Sequence, residues 1–467
     1  MVTPSSTEAR DPAMAAPASD LPSRFLASYR RACWRPAPDA RRYVLVEATA
    51  ALVFLVFAGY LAAILVHPLY VSNDGAHSYT RVWFLQQAIF RDHWIPLHIP
   101  TLEAGRALTF PYGLIPWLPT ALIRPILGDW AVTASLIGGA LLLVAGAWHW
   151  QPRMRSPLLT AILLLNPQLY GALAQFQLPT LWALAFACFA AGEFSRASAD
   201  RGGMRGMTRG TAFAVLALYA HPMTGGAALV VTALANAEVD RRIPTREAAG
   251  IAIAAILAAP AIWMMLSTPL VREVGLAMLY QPVWLTLKRI SIVGWVWGLS
   301  RFAPHVIRFW PVVILAAALA VANDVRHAPP VGVWEWSQPR FGDVIADGRI
   351  STDATYRVLT TTRHEDGMLE LMQAGASLGQ DFFDESVWRY SFGDTQTYRC
   401  FLEEKRVDRV MVSAEWAHLQ WSDEVRMLDA LVSDGRAALT YRGSAGTLEY
   451  TLHPGNVPTA CGPRVRR

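Results

Sequence analysis

Between Tyr43 and Ala322 the chain repeats apolar stretches long enough to span a bilayer, and no other feature narrows its fold as far. A helix crossing the hydrocarbon core needs about 17 to 25 mostly apolar residues, because each residue adds only about 1.5 Å of rise. The first such run covers Tyr43–Val66. Others follow at about 113–127, 130–149, 157–173, 178–195, 211–236, 248–268, 283–300 and 309–323. Only 16% of the 467 residues are charged, well below the quarter or so of an ordinary soluble domain. The class that follows is a polytopic α-helical membrane protein with roughly 8–10 membrane segments, re-entrant ones included.

The net charge of +5 is unevenly divided. Residues 1–42 carry seven Arg against four acids, residues 43–323 eighteen basic groups against eleven acids, and residues 324–467 sixteen against twenty-one. The basic excess belongs to the tail and the membrane loops, where orientation explains it and nucleic acid is not an expected partner. Residues 1–42 are rich in Pro, Ala, Ser and Arg without apolar periodicity, so they read as a disordered cytoplasmic tail. The loop after the first run, residues 67–112, is then outside.

One conflict needs resolving. Arg196, Arg201, Arg205 and Arg209 mark one cytoplasmic loop, and Arg241, Arg242 and Arg246 mark a second. Both flank the run 211–236, which would cross only once as a single helix. The break HPMTGG at His221–Gly226 allows a hairpin instead, with irregular backbone buried in protein or lining a cavity. The remaining runs then leave residues 324–467 outside, on the same side as the loop 67–112. The stretch 113–127 is short and is read either as a crossing or as a re-entrant segment.

After Asn323 the pattern changes. TYRVLTTT, RVMVSA and GTLEYTLH have strand character, and LDALVSDG is helical. Residues 324–467 are expected to form a soluble α/β or α+β domain large enough for its own core. Cys400 and Cys461 fall in this domain and are either a disulfide of an exported domain or two free thiols.

Chemistry-bearing residues gather where the first run ends, in YVSNDGAHSYTR from Tyr70 to Arg81. Ionisable groups at a bilayer exit are costly and usually functional. If this segment is helical, Asp74, His77 and Arg81 share one face. Asp74 can take a proton from a hydroxyl or hold a divalent cation such as Mg or Mn, and Arg81 can grip phosphate oxygens as a fork. The plainer reading makes Asp74 a helix cap paired with Arg81. A second set, His93, His98, Glu103, Arg106 and Tyr112, interleaves with Trp94 and prolines. It suits sugar rings, and it equally suits an interfacial helix. Arg106 is its phosphate candidate. His221 at the hairpin bend, Gln168, Gln175 and Gln177 near Asn166–Pro167, and the acids Asp129 and Glu273 complete the candidates. No Walker loop or dinucleotide glycine fingerprint is present in the sequence.

The stretch DGAHSYTRVWFLQQAIFRDHWIPLHIPTLEAGRALTFPYGLIPWLPTALIRPILG resembles the first outer loop of C-type (GT-C) membrane glycosyltransferases. Its nearest likeness is to the bacterial 6-pyruvoyl-tetrahydropterin-synthase-related membrane proteins. The residues that carry it are Asp74, His77, Arg81, the Trp94–Pro96 segment, Gly105 and Pro111–Tyr112. YRCFLEEKRVDRVMVSAEW resembles the outer domain of such proteins. The resemblance implies a GT-C-like bundle in a bacterial inner membrane and a polyprenyl-phosphate-linked sugar donor with a glycan or lipid acceptor. Asp74 would be the catalytic or metal-binding acid, and His77, Arg81, Arg106, Tyr112 and His221 would bind substrate. The competing expectation is a non-catalytic membrane component of a polysaccharide assembly or export complex.

Overall fold

The computed structural model describes residues 40–66, 68–69, 75–102, 105–109, 113–198, 203–240, 244–266, 277–327, 340–360, 366–379, 392, 394–414 and 423–453. In chain order the first helices are α1 (Ala40–Ile64) and α2 (Gly75–Phe90), followed by a two-stranded ribbon of β1 (His98–Ile99) and β2 (Arg106–Ala107). Next come α3 (Trp117–Leu127), α4 (Trp130–Trp150), α5 (Pro157–Leu164), α6 (Pro167–Ala174), α7 (Leu178–Ser198), α8 (Gly203–Ala220), α9 (Pro222–Asp240), α10 (Thr245–Leu266), α11 (Ala277–Arg301), α12 (Ala303–Arg308) and α13 (Trp310–His327).

Four of these helices are long and apolar enough to cross a membrane, or five if α5 and α6, bent by 52°, form one broken span. The bend has a local cause. Pro167 cannot continue the ladder, and Asn166 turns its side chain to accept from the backbone N–H of Gln168 and Leu169. Helix α7 is the axis of the bundle, with 78% of its apolar window buried, against 28% for α1 and 22% for the α10 window. The peripheral helices turn Leu52, Leu55, Ile256 and Trp263 outward, as a lipid-facing surface requires. Helices α4 and α7 meet closely because Gly146 faces the Ala185 carbonyl, where an added Cβ would sit 2.8 Å from that oxygen. The stretch 113–127 folds as the 11-residue α3 with Pro125 inside, too short to span by itself.

The hairpin expected at His221 is present. Helices α8 and α9 fold back so sharply that a Cβ on Gly225 would meet the Ala217 carbonyl oxygen at 2.3 Å. Its tip meets the chain where the first loop ends: the Gly113 N–H donates to Ala220 O and the Ile115 N–H to Tyr219 O, both at 3.2 Å. Its feet meet the opposite end, where Arg246 donates to the Ala197 carbonyl at 3.2 Å. The bundle therefore has a loop end and an arginine end. Of the two arginine clusters, Arg201, Arg241 and Arg242 lie outside the described residues.

After residue 340 the chain forms α14 (Gly342–Ala346), β3 (Thr355–Leu359), α15 (Asp366–Gln373), β4 (Ser377–Leu378), α16 (Thr395–Glu404), β5 (Arg409–Val412), α17 (Glu424–Ser433), β6 (Ala437–Arg442) and β7 (Leu448–Leu452). The five-stranded sheet runs β4-β3-β5-β7-β6, parallel from β4 to β5 and antiparallel beyond. Three of the strands coincide with the expected segments, and α17 with the expected helix. The Leu378 N–H donates to Thr101 O at 2.8 Å and Leu102 forms a parallel bridge with Leu378, so the first loop extends the β4 edge. This contact keeps the domain at the loop end. Cys400 is disulfide-bonded while Cys188 is free and buried; Cys33 and Cys461 lie outside the described residues.

Candidate functional site

Helix α2 brings two of the expected residues together. His77 and Arg81 are one turn apart on its buried face, with Arg81 Nη1 3.5 Å from His77 Nδ1. The Arg81 guanidinium carbon lies 5.2 Å from the centre of the Trp117 ring, and Trp117 Nε1 donates to Ser78 Oγ at 3.3 Å. A guanidinium stacked on an indole is weakly hydrated and held in one plane, which suits it to burial. Arg106 is also buried, in β2 opposite Ile99. Asp74, Glu103 and Tyr112 lie outside the described residues, as does Glu273. His93 and His98 are exposed beside Trp94, Ile95 and Leu97, an arrangement that fits the interfacial alternative for this segment. Asp129 is taken by Arg124, whose Nε donates to Oδ1 at 3.0 Å.

The hairpin tip carries a second group. Arg289 stands midway along α11 and donates from Nε to Gln177 Oε1 at 3.0 Å, while its Nη1 lies 3.1 Å from His221 Nε2. Gln177 Nε2 in turn donates to Gln175 Oε1 at 2.6 Å. The two glutamines flank Phe176, which adopts a left-handed φ of 55°. A bulky side chain seldom takes that conformation, and such strain collects at functional segments. The fully buried Phe176 ring packs against Tyr79 with ring centres 5.5 Å apart, so the break before α7 touches α2 on the side away from His77 and Arg81. The Tyr79 hydroxyl is fixed by the Pro68 carbonyl at 3.0 Å.

Helix α2, the break at Gln175–Gln177 and the bend at His221 are thus linked at the loop end, through Tyr79 and Phe176 on one side of the break and Arg289 on the other. Gln168 sits apart from them, its backbone engaged by Asn166. Arg289 is not among the candidates that motif and spacing single out. Its signal was there, since Lys288–Arg289 is a basic pair inside the apolar run 283–300. Two of its three nitrogens have partners, which leaves Nη2 as the remaining donor of a half-buried guanidinium. Imidazole, amide and guanidinium groups in low-dielectric surroundings favour an anion, above all phosphate. Among the described residues no three His, Cys, Asp or Glu side chains come together as metal ligands. No protein-family model, curated protein or solved structure matches the chain.

Proposed function

We propose that the protein is a membrane glycosyltransferase that uses a polyprenyl-phosphate-linked sugar donor at the outer face of a bacterial inner membrane. The observation that carries this reading is Arg289, a cation midway along a bundle helix, tied to His221 and Gln177 at the loop end. A half-buried cation inside an apolar run needs a reason, and a lipid phosphate entering sideways from the bilayer supplies one. Such a donor also accounts for a site roofed by the first loop and bordered by a soluble domain.

The finer architecture of this proposal is a GT-C-like bundle of roughly 8–10 membrane segments, counting the α8–α9 hairpin and α11 and α13 beside the longer spans. The arginine end faces the cytoplasm by the positive-inside rule. The disulfide at Cys400 supports an oxidising, exported location for the domain.

The reaction is an inverting transfer. Asp74 accepts the proton of an acceptor hydroxyl as its oxygen bonds to the anomeric carbon. The bond from that carbon to the lipid phosphate breaks, and the electron pair leaves on phosphate oxygen. Arg289 stabilises that developing charge, and Arg81 or Arg106 is the further guanidinium the loop offers for it. The test is transfer from a radiolabelled polyprenyl-phosphate sugar by the full chain in nanodiscs, supported by lipid analysis of a deletion strain. Transfer abolished by Asp74→Asn with folding intact is the expected result. Undiminished transfer in that variant would remove Asp74 from the mechanism, and absence of any transfer or accumulated donor would sink the assignment.

A further inference from the structure

A concavity of about 350 Å³ opens at the arginine end, far from the site above, between the ends of α4 and α7. Its apolar lining is Ala145, Trp148 and Phe189, and its polar groups are His149 and Arg155. The imidazole is held in place: Glu193 Oε1 lies 2.9 Å from His149 Nε2 and 2.9 Å from Arg196 Nη1. Arg196 Nη2 also donates to the His149 carbonyl at 3.1 Å. Trp148 is anchored by its Nε1 to Thr160 Oγ1 at 2.9 Å, yet keeps 38% of its surface exposed. Glu193 is matched by Arg196, so exposed Arg155 adds a positive charge to the rim.

We infer that this concavity binds the phosphodiester headgroup of an anionic lipid in the adjoining leaflet. Three features converge on that ligand. The volume is that of a small-molecule site, larger than phosphate alone requires, so it also accommodates the glycerol. A tryptophan anchored at one edge and exposed at the other is the side chain that borders headgroups. A basic pocket between helices at the arginine-rich end is the arrangement that selects anionic lipid over zwitterionic lipid. The proposal rests on the membrane reading of the bundle and is independent of the transfer reaction.

The test uses the full chain in phosphatidylcholine nanodiscs, titrated with phosphatidylglycerol and read by native mass spectrometry of retained lipid. Arg155→Gln should weaken retention about fivefold, the effect of losing one arginine beside an anionic headgroup. Arg209→Gln, an exposed arginine of the same end that does not line the concavity, should leave retention unchanged. Equal losses in the two variants would reduce the effect to bulk charge and overturn the site. Inorganic phosphate that displaces the lipid at matched concentration would make it a site for free phosphate and overturn the lipid assignment.

Discussion

Arg289 and His221 meet at 3.1 Å although 68 residues separate them, and the same guanidinium reaches Gln177 at a distance of 112 residues in sequence. The contact locks α11 to the hairpin tip and to the break before α7, so the cation is positioned before any ligand arrives. Arg289→Gln should weaken binding of polyprenyl phosphate by about 10- to 100-fold, the value of a charge-assisted hydrogen bond of about 1.5–3 kcal/mol. Arg289→Lys should recover only part of this, since a point charge does not replace a planar fork. Titration of the purified chain with polyprenyl phosphate measures both, and unchanged binding in the Gln variant would show that Arg289 serves packing alone.

Some of this arrangement was legible in the sequence, and the division has physical causes. The hairpin could be read because two arginine clusters flanked one apolar run, a conflict that only a fold-back at HPMTGG resolves. The bend at Asn166–Pro167 could be read because proline and an N-capping side chain act locally. His77 and Arg81 share a face by helical spacing alone. Arg289 could not be assigned partners, because they come from two other breaks in the chain. The stacking of Arg81 on Trp117 was hidden for the same reason: it depends on how α2 meets α3. The role of 113–127 stayed open because an apolar run with an internal proline fits both a crossing and a short re-entrant helix.

Gly113 allows the first loop to touch the hairpin tip. A Cβ there would lie 1.4 Å from the Tyr219 carbonyl oxygen, inside bonded distance, and that oxygen belongs to backbone that cannot swing aside. Gly113→Ala must therefore push the loop off the tip and break the Gly113–Ala220 and Ile115–Tyr219 hydrogen bonds. A loss of about 1–3 kcal/mol, or more where the loop detaches, is expected. Thermal unfolding of the detergent-solubilised protein checks it, with Gly226→Ala as control, since a Cβ there makes only an ordinary 3.6 Å contact.

The C-terminal domain depends on a buried ion pair between Arg357 and Glu424, bidentate at 2.7 and 2.9 Å, with side chains 1% and 4% exposed. The Arg357 guanidinium also lies over the Phe401 ring, 4.9 Å from its centre. Burial, and then the neighbouring Glu424 carboxylate, push the Tyr398 phenol well above its usual range. Removing one partner leaves the other charge buried and unmatched, so Glu424→Ala should cost about 3–5 kcal/mol. The double variant Arg357→Met with Glu424→Leu should cost markedly less, because it leaves no orphaned charge. Hydrogen exchange of β3, β5 and α17 in the full chain distinguishes the two outcomes.

Glu370 gives the domain a pH response of defined sign. Burial raises its carboxyl above the ordinary range, even though the backbone N–H groups of Arg340 and Phe341 donate to Oε2 at 2.8 and 3.2 Å and pull the other way. The folded state therefore holds this proton more tightly than the unfolded chain does. Its contribution to stability is fully present below the unfolded value and is lost as pH rises through the folded one. Glu370→Gln, which mimics the protonated form, should flatten the pH dependence of domain stability over that interval. An unchanged slope in denaturant titrations across mildly acidic pH would assign the dependence to other groups.

The two ends of the bundle can be assigned to compartments by labelling. Arginine-rich loops are retained on the cytoplasmic side, and a disulfide persists where the surroundings are oxidising. Met204, 82% exposed at the arginine end, and Ser433, exposed on α17 of the domain, are surface positions whose replacement disturbs no core. With the parent chain's own labelling subtracted, a membrane-impermeant maleimide should reach Ser433→Cys in intact spheroplasts. It should reach Met204→Cys only after the membrane is permeabilised. The reverse pattern would invert the topology and put the proposed transfer site on the cytoplasmic face. Labelling of both from one side would mean that the α8–α9 hairpin and its neighbours do not separate the loop end from the arginine end across a bilayer.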